Sequence, residues 1–325
     1  MTNLLEVEAL SVWLATRRGP RKAVDDVSVS VGAGEIVGIA GESGSGKTMT
    51  ALSLLGLLPP GATTAGSVRF DGAQLLGRPA RYLRGIRGRQ IAMVSQDPAT
   101  SLHPMLRIET QLTEHMRHHL GVSRSEARSR AVELLDTVRI PDPERALHAH
   151  PGQFSGGMRQ RIAIACALAC EPRLLLADEP TTALDVTVQA GILRLLDRLR
   201  RERGLAVVII THDLAVMSSV ADRVCVMYGG RMVEIGPRSA VLTAPRHPYT
   251  RGLLAALPHP ESGDVALRPI PGSPPTLGAI PAGCAFHPRC DFRQDTCDTQ
   301  LPVLTQVGAG HRAACPIDPW GGHDD

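Results

Sequence analysis

The densest chemistry in this sequence is the run Gly41-Glu42-Ser43-Gly44-Ser45-Gly46-Lys47-Thr48. Its three glycines let a backbone curl so that successive N–H groups face the β- and γ-phosphates of a nucleotide. Lys47 adds positive charge, and Thr48 a hydroxyl suited to Mg²⁺. Gly41, Ser43, Gly44, Ser45, Gly46, Lys47 and Thr48 are therefore the candidate nucleotide contacts. A second constellation, Leu174-Leu175-Leu176-Ala177-Asp178-Glu179, is an apolar strand ending in two acids. Carboxylates at such a strand end point into the crevice where ligands sit. Asp178 is the candidate Mg²⁺ ligand, directly or through water, and Glu179 the candidate general base toward the attacking water. A third, Ser155-Gly156-Gly157, opens a helix and presents another set of N–H donors to anionic oxygens. Alone it would be an N-capped helix and nothing more. Beside a phosphate loop it is a second phosphate grip, and two grips in one domain suggest two copies sharing nucleotides.

These groups need elements to hold them. Leu4 to Val12 and Ala23 to Val31 alternate apolar and polar residues, which predicts antiparallel strands with one buried face. Glu35 to Ala40 is a continuous apolar strand leading into the glycine loop, and Lys47 to Leu58 a helix stopped by Pro59-Pro60. From Pro98 to about Ile140 the pattern turns helical, with Ser125 to Val138 amphipathic, before Pro141 and Pro143 break it. Leu174 to Ala177 and Val207 to Ile210 read as two more buried strands. Each follows a helix, Arg159 to Ala169 and Val186 to Arg201, as in a parallel sheet.

Composition narrows the class. With 325 residues, one large domain plus an appendage is the natural division. Aromatic residues make up only 3%, so Leu, Val, Ile and Ala must fill the core, as in an α/β fold whose strands are buried on both faces. A net charge of +3 is far from the clustered basic profile of a nucleic-acid binder, and no nucleic-acid partner is expected. The apolar runs, such as Leu205 to Ile210, are strand-sized, and the first residues carry no signal pattern, so a cytoplasmic chain is expected.

The order of phosphate loop, Ser-Gly-Gly turn and acidic strand end resembles the ATP-binding cassette of ABC transporters, over about Leu4 to Leu257. The resemblance implies a P-loop NTPase (RecA-like) α/β core with an antiparallel β-subdomain and a helical subdomain at about 98–165, within an ATPase domain spanning 1–257. It implies that Ser155, Gly156 and Gly157 contact ATP bound to a second ABC ATPase subunit. Gln96 would touch Mg²⁺ and the attacking water, His212 would hold the γ-phosphate, and Asp185 would lie in the loop crossing the dimer interface. Phe154 and Met158 replace the usual leucine and glutamine around that turn, without touching the serine or glycines. The aromatic residue that usually stacks on adenine is missing from Arg17 to Lys22. Trp13 reads as core, Arg21 could stack through its guanidinium, and base recognition stays open.

After Pro258 the texture changes. Residues 258–325 are dense in Pro and Gly and read as a Cys-rich irregular C-terminal extension. Cys284, Cys290, Cys297 and Cys315 are separated by five, six and seventeen residues, whereas Cys166, Cys170 and Cys225 lie in apolar contexts and read as core thiols. Among the four tail cysteines no Cys-x₂₋₄-Cys pair of the kind zinc prefers occurs, while an iron–sulfur cluster tolerates looser spacing. His247 to Leu254, Pro271-Gly272-Ser273-Pro274-Pro275 and Gly283 to Cys290 resemble the C-terminal region of oligopeptide and dipeptide importer ATPases. That resemblance implies a [4Fe-4S] cluster on the four cysteines, with Zn²⁺ or free thiols as alternatives, and loss of the cluster is expected to loosen the tail before it harms ATP binding. It further implies two integral membrane permease subunits, an extracytoplasmic solute-binding protein acting indirectly, and a peripheral place on the cytoplasmic face of the membrane. The membrane subunit would dock near Pro98 to Met116. The rival reading is a soluble cassette ATPase of DNA repair or translation. Only 108 positions separate Lys47 from Ser155, with no sustained heptads for a repair-type coiled coil. His115, His118, His119, His148 and His150 read as a solvated helical face or loop, and Arg198 to Arg203 as an exposed helix end.

Overall fold

The computed structural model describes residues 3–97, 101–182, 184–257 and 268–317. Pro98 at the expected start of the helical lobe, Ala183 beside Asp185, and the expected boundary at Pro258 lie outside them. The chain forms two compact units. One comprises Gly32–Ile36 and Gly77–Ile210; the other is built from Asn3–Val31, Val37–Leu76 and the described residues from Thr211 onward.

The second unit holds two sheets. In the first, β1 (Asn3–Leu14), β2 (Arg21–Gly32), β4 (Thr63–Phe70) and β5 (Ala73–Gln74) stand in the order β2-β1-β4-β5, and β1 pairs antiparallel with β4 from Leu5↔Phe70 to Trp13↔Thr63. Leu5, Val7, Leu10 and Val12 of β1 are buried, and so are Val24, Val27, Val29 and Val31 of β2, so the apolar alternation read from the sequence marks the buried positions. The other sheet carries β3 (Ile36–Ala40), every residue of which is buried. β3 runs parallel to β9 (Arg223–Tyr228), which pairs antiparallel with β10 (Arg231–Pro237). Helix α1 (Lys47–Leu55) follows the phosphate loop and stops at Gly56, before the two prolines predicted to end it.

The C-terminal residues add to this sheet. A hairpin of β11 (Thr305–Gly308) and β12 (His311–Ala313) continues from β10 through the register Glu234↔Ala313 and Ile235↔Arg312. A buried carboxylate fastens the addition. Glu234, fully buried, accepts from the backbone N–H groups of Arg246 at 2.7 Å and His247 at 3.0 Å, and its Oε1 lies 2.7 Å from His311 Nε2. Three partners satisfy a group that would otherwise be expensive to bury. His247 caps α10 (Pro248–Ala255) by accepting from Tyr249 N, and burial pushes its imidazole down to about 3, so it stays neutral at working pH.

The first unit contains three parallel strands in the order β8-β7-β6: β6 (Ile91–Val94), β7 (Leu174–Asp178) and β8 (Ala206–Thr211). β7 and β8 are buried along their whole length, as continuous Leu, Val and Ile runs require. The helical stretch resolves into α3 (Ile108–Leu120), α4 (Arg124–Thr137) and α5 (Pro143–His148), following the short α2 (Ala80–Ile86). α6 (Gly156–Leu168) precedes β7, and α7 (Val186–Arg203) precedes β8. The compact unit is thus wider than the helical stretch, because strands β6 to β8 and helices α6 and α7 cluster with it.

Candidate functional site

In the second unit the phosphate loop leaves β3 and turns into α1 through Gly46, whose φ of 103° lies in the left-handed region. A β-carbon there would also stand 2.8 Å from the Ala23 carbonyl oxygen, so a side chain is excluded twice. No described side chain caps α1, which leaves the N-terminal end of the helix suited to an anion. Ser43, Gly44 and Thr48 are exposed, whereas Ser45 and Lys47 are buried. Lys47 Nζ lies over the loop and donates to the carbonyl oxygens of Gly41 at 2.7 Å and Glu42 at 2.9 Å. The loop is also held from outside. Gly230 N donates to Ser45 O at 3.1 Å, and Glu42 N donates to the Tyr249 hydroxyl at 2.8 Å.

An ion pair that sequence reading missed meets the loop at its second residue. Arg289 grips the Glu42 carboxylate with both terminal nitrogens, at 2.6 and 3.0 Å, while its Nε donates to Pro271 O at 2.7 Å. Arg289 is buried beside Tyr228, Tyr249 and Phe286, whose rings pack with centroids 4.5 to 5.3 Å apart, and hydrogen bonding to Glu42 raises its basicity further. Exposed pairs such as Arg69 with Glu8 contribute about 0–1 kcal/mol. A buried fork-to-fork pair is of another order when broken, about 3–5 kcal/mol, because its partner is left charged. The two residues lie 247 positions apart, with no local pattern to link them.

In the first unit β7 delivers Asp178, 4% exposed, and Glu179. Glu179 has φ 46°, uncommon for a residue with a side chain, and its N–H donates to Ile210 O at 2.7 Å. Gln96 follows β6 and donates from Nε2 to Glu179 Oε2 at 3.0 Å, and Thr182 Oγ1 donates to the same oxygen at 2.8 Å. Gln96 and Glu179, both singled out in the sequence, are therefore in contact. Thr182 is a further member, which proximity to Glu179 could have suggested.

The Ser-Gly-Gly turn lies in the same unit. Ser155 caps α6, its Oγ accepting from Met158 N at 3.3 Å. Gly157 allows a close approach, since a β-carbon there would meet Val188 Cγ1 at 2.5 Å. Val188 belongs to the first turn of α7, whose cap is Asp185, accepting from Val188 N at 2.9 Å. The Ser155 and Asp185 turns are therefore neighbours. His212, in the other unit, is exposed on the turn between β8 and α8 (Leu214–Val220), which Asp213 caps.

Other expectations take definite form. Trp13 is half-buried rather than core, because the Lys22 ammonium lies 5.0 Å from its ring centre. Arg21 flanks Gly278 of the C-terminal segment, within 3.3 Å of where a β-carbon would stand. Arg198, read as part of an exposed helix end, is half-buried and donates to Thr137 O at 2.5 Å. The core reading of the three remaining thiols holds for Cys170 and Cys225, which are buried; burial also pushes the Cys166 thiol up to about 12.

Around the four tail cysteines, Cys284 N donates to Cys297 O at 2.8 Å. The Cys284 sulfur receives the N–H groups of Phe286 and His287, Cys290 that of Phe292, and Cys315 that of Ile317. Burial raises all three thiols, Cys290 and Cys315 to about 11, and every pair among the four adds mutual repulsion between thiolates. Among the described residues no three His, Cys, Asp or Glu side chains form a group that would hold a metal ion.

Comparison with known proteins gives a consistent picture. Residues 24–182 match the family described as ABC transporter, and residues 233–297 match the oligopeptide/dipeptide transporter C-terminal region, beginning within β10. The chain is 47% identical to the oligopeptide transport ATP-binding protein OppD of Salmonella typhimurium, over 96% of this chain and 93% of that protein. It is 44% identical to the dipeptide transport ATP-binding protein DppD of Escherichia coli, over 98% of each. An ATP-binding cassette solved as a dimer in a post-hydrolysis state with ADP and Pi superposes with a TM-score of 0.65 at 30% identity, over 72% of this chain and 98% of that one.

Proposed function

The chain belongs to the ATP-binding proteins of oligopeptide and dipeptide ABC transporters, and we propose on that premise that it is the motor subunit of a peptide importer. It is an ABC-type ATPase with the cassette fold. The observation that carries the reading is the near full-length identity to OppD and DppD, which includes the C-terminal region. A repair or translation ATPase would share the cassette but not that region, so the rival reading is not favoured.

In this reading the loop N–H groups and Lys47 hold the β- and γ-phosphates. The Thr48 hydroxyl, the Asp178 carboxylate and the Gln96 carbonyl are hard oxygen donors of the kind Mg²⁺ takes, and the ion would supply charge to offset that building on the phosphates. Glu179 accepts the proton of the attacking water, Gln96 and Thr182 fix its orientation, and His212 is assigned to the γ-phosphate. Ser155, Gly156 and Gly157 reach the nucleotide of a second ATPase subunit, and Asp185 crosses the same interface. Val186 beside it is 82% exposed, which supports a face covered by a partner. Met105, 77% exposed, and Leu106 support docking of a permease helix in the 98–116 region. No helix among the described residues is long and apolar enough to cross a membrane. A peripheral place on two permease subunits at the cytoplasmic face is assigned from the likeness to OppD. A solute-binding protein would deliver the peptide from the other side. The ATPase domain is assigned to 1–257 and the peptide-transporter-type region to 258–325.

Coexpression with two permease subunits and a partner ATPase should yield a membrane complex whose ATPase rate rises with peptide-loaded binding protein. Copurification with ribosomes or DNA, and hydrolysis indifferent to the permease, would remove the reading.

Cys284, Cys290, Cys297 and Cys315 are assigned to a [4Fe-4S] cluster. Four cysteines can be held together as thiolates when metal charge offsets their repulsion, and N–H donors two residues on suit bound sulfur. The spacing of the four, with no Cys-x₂₋₄-Cys pair among them, supports the cluster over zinc. Anaerobically purified chain should contain roughly four irons and show iron–sulfur visible absorption. Cys290→Ser should lose both, and stoichiometric zinc without iron would overturn the assignment.

A further inference from the structure

The phosphate loop has a negative charge at its second position. Glu42 stands between Gly41 and Ser43, where a triphosphate is to bind, and a carboxylate turned toward it would repel it. Arg289 removes the difficulty in two ways. Its fork takes both carboxylate oxygens, at 2.6 and 3.0 Å, and its own position is fixed by Pro271 O at 2.7 Å and the Tyr228 hydroxyl at 3.2 Å. The Tyr228 and Phe286 rings lie 5.8 and 6.0 Å from the guanidinium carbon, closing it off from water. Glu42 is held at its main chain as well, by the Tyr249 hydroxyl and through its carbonyl by Lys47. The cation in this arrangement comes from the C-terminal segment, one residue before Cys290.

We propose that Arg289 is a positioning residue of the nucleotide site, neutralising the Glu42 carboxylate at the second position of the phosphate loop, so that ATP affinity is set partly from the C-terminal segment. This rests on the preceding reading that the loop holds ATP. It reverses the expectation that tail loosening precedes any loss of ATP binding, because whatever displaces Arg289 uncovers a carboxylate at the loop.

The test compares R289Q, R289K, E42Q and the double variant E42Q/R289Q in the full chain with its permease and partner subunits. ATP affinity and the separate KM and kcat for ATP are measured. The R289Q variant should raise KM and Kd about tenfold or more with kcat within about threefold, since the repulsion acts on binding. R289K, which keeps charge without the fork, should fall between. In the double variant the unpaired carboxylate is gone, and affinity should return to within about threefold of the parent, as should E42Q alone. If the double variant binds as poorly as R289Q, Arg289 is only an anchor for the tail and the proposal fails. R289Q within twofold of the parent overturns it equally. If R289Q does not fold, R289K against E42Q/R289K decides in the same way. A parent chain that binds no ATP would instead sink the functional reading beneath it.

Discussion

Glu179→Gln is expected to lower ATP turnover by about 10² to 10⁴-fold, the usual range for losing a general base, while ATP affinity stays within a few-fold of the parent. The substitution keeps the size and shape of the side chain at a position whose backbone is already unusual, with φ 46° and its N–H held by Ile210 O. What changes is the proton affinity, and the match to its neighbours. Both Gln96 Nε2 and Thr182 Oγ1 donate to Glu179 Oε2, so a neutral amide either offers an oxygen that cannot take a proton or turns an NH₂ group toward two donors. The phosphate grip, built on β3 and α1, is untouched. Steady-state phosphate release together with nucleotide binding separates the two effects. Near-normal hydrolysis in this variant would refute the role of Glu179 as base.

How much of this was legible in the sequence follows from the range over which each feature is determined. The phosphate loop, the Ser155 and Asp185 caps and the β7 carboxylates are local. A glycine at φ 103°, a cap side chain accepting from the N–H three residues on, and an acid after four apolar strand residues can each be read within one short window. Strand patterns were readable for the same reason, since burial follows the alternation of β1 and β2 and the apolar runs of β3, β7 and β8.

The illegible features all join distant segments. Thr305 to Ala313 carries no alternation strong enough to announce a hairpin, and it becomes one because β10 offers an edge and Glu234 a buried acceptor for His311. The Arg289 contact depends on Tyr228, Tyr249 and Phe286 meeting from three different elements. A single arginine between a proline and a cysteine gives no hint of it. Trp13 is half-buried rather than core because its partner Lys22 lies across a turn, and the stem of a lysine can lie along an apolar ring while its ammonium stays wet. Gln96 lay between the two cases. Its place after β6 was readable, but its bond to Glu179 arises only because β6 and β7 run parallel in register, Val94 opposite Ala177.

Lys47→Met should produce the opposite signature to Glu179→Gln, weakening ATP binding by about 10² to 10⁴-fold. Lys47 Nζ already sits at the mouth of the loop on two carbonyl oxygens, so reaching a phosphate costs it little rearrangement. A charged hydrogen bond contributes about 1.5–3 kcal/mol, and an ammonium serving two phosphoryl groups makes two of them. Methionine preserves the length and apolar stem of a residue that is buried, so loss of packing is small. The loop is also held by Arg289 on Glu42, by Tyr249 and by Gly230, and its curl should therefore survive the loss of the lysine's bonds to Gly41, Glu42 and Ser45. Binding of a fluorescent ATP analogue and thermal unfolding, measured on the same preparation, distinguish the cases. A large affinity loss with a nearly unchanged unfolding temperature assigns Lys47 to the phosphates. Unchanged affinity would mean that the ammonium serves only to hold the loop's own carbonyls, and that the triphosphate is gripped by backbone N–H groups alone.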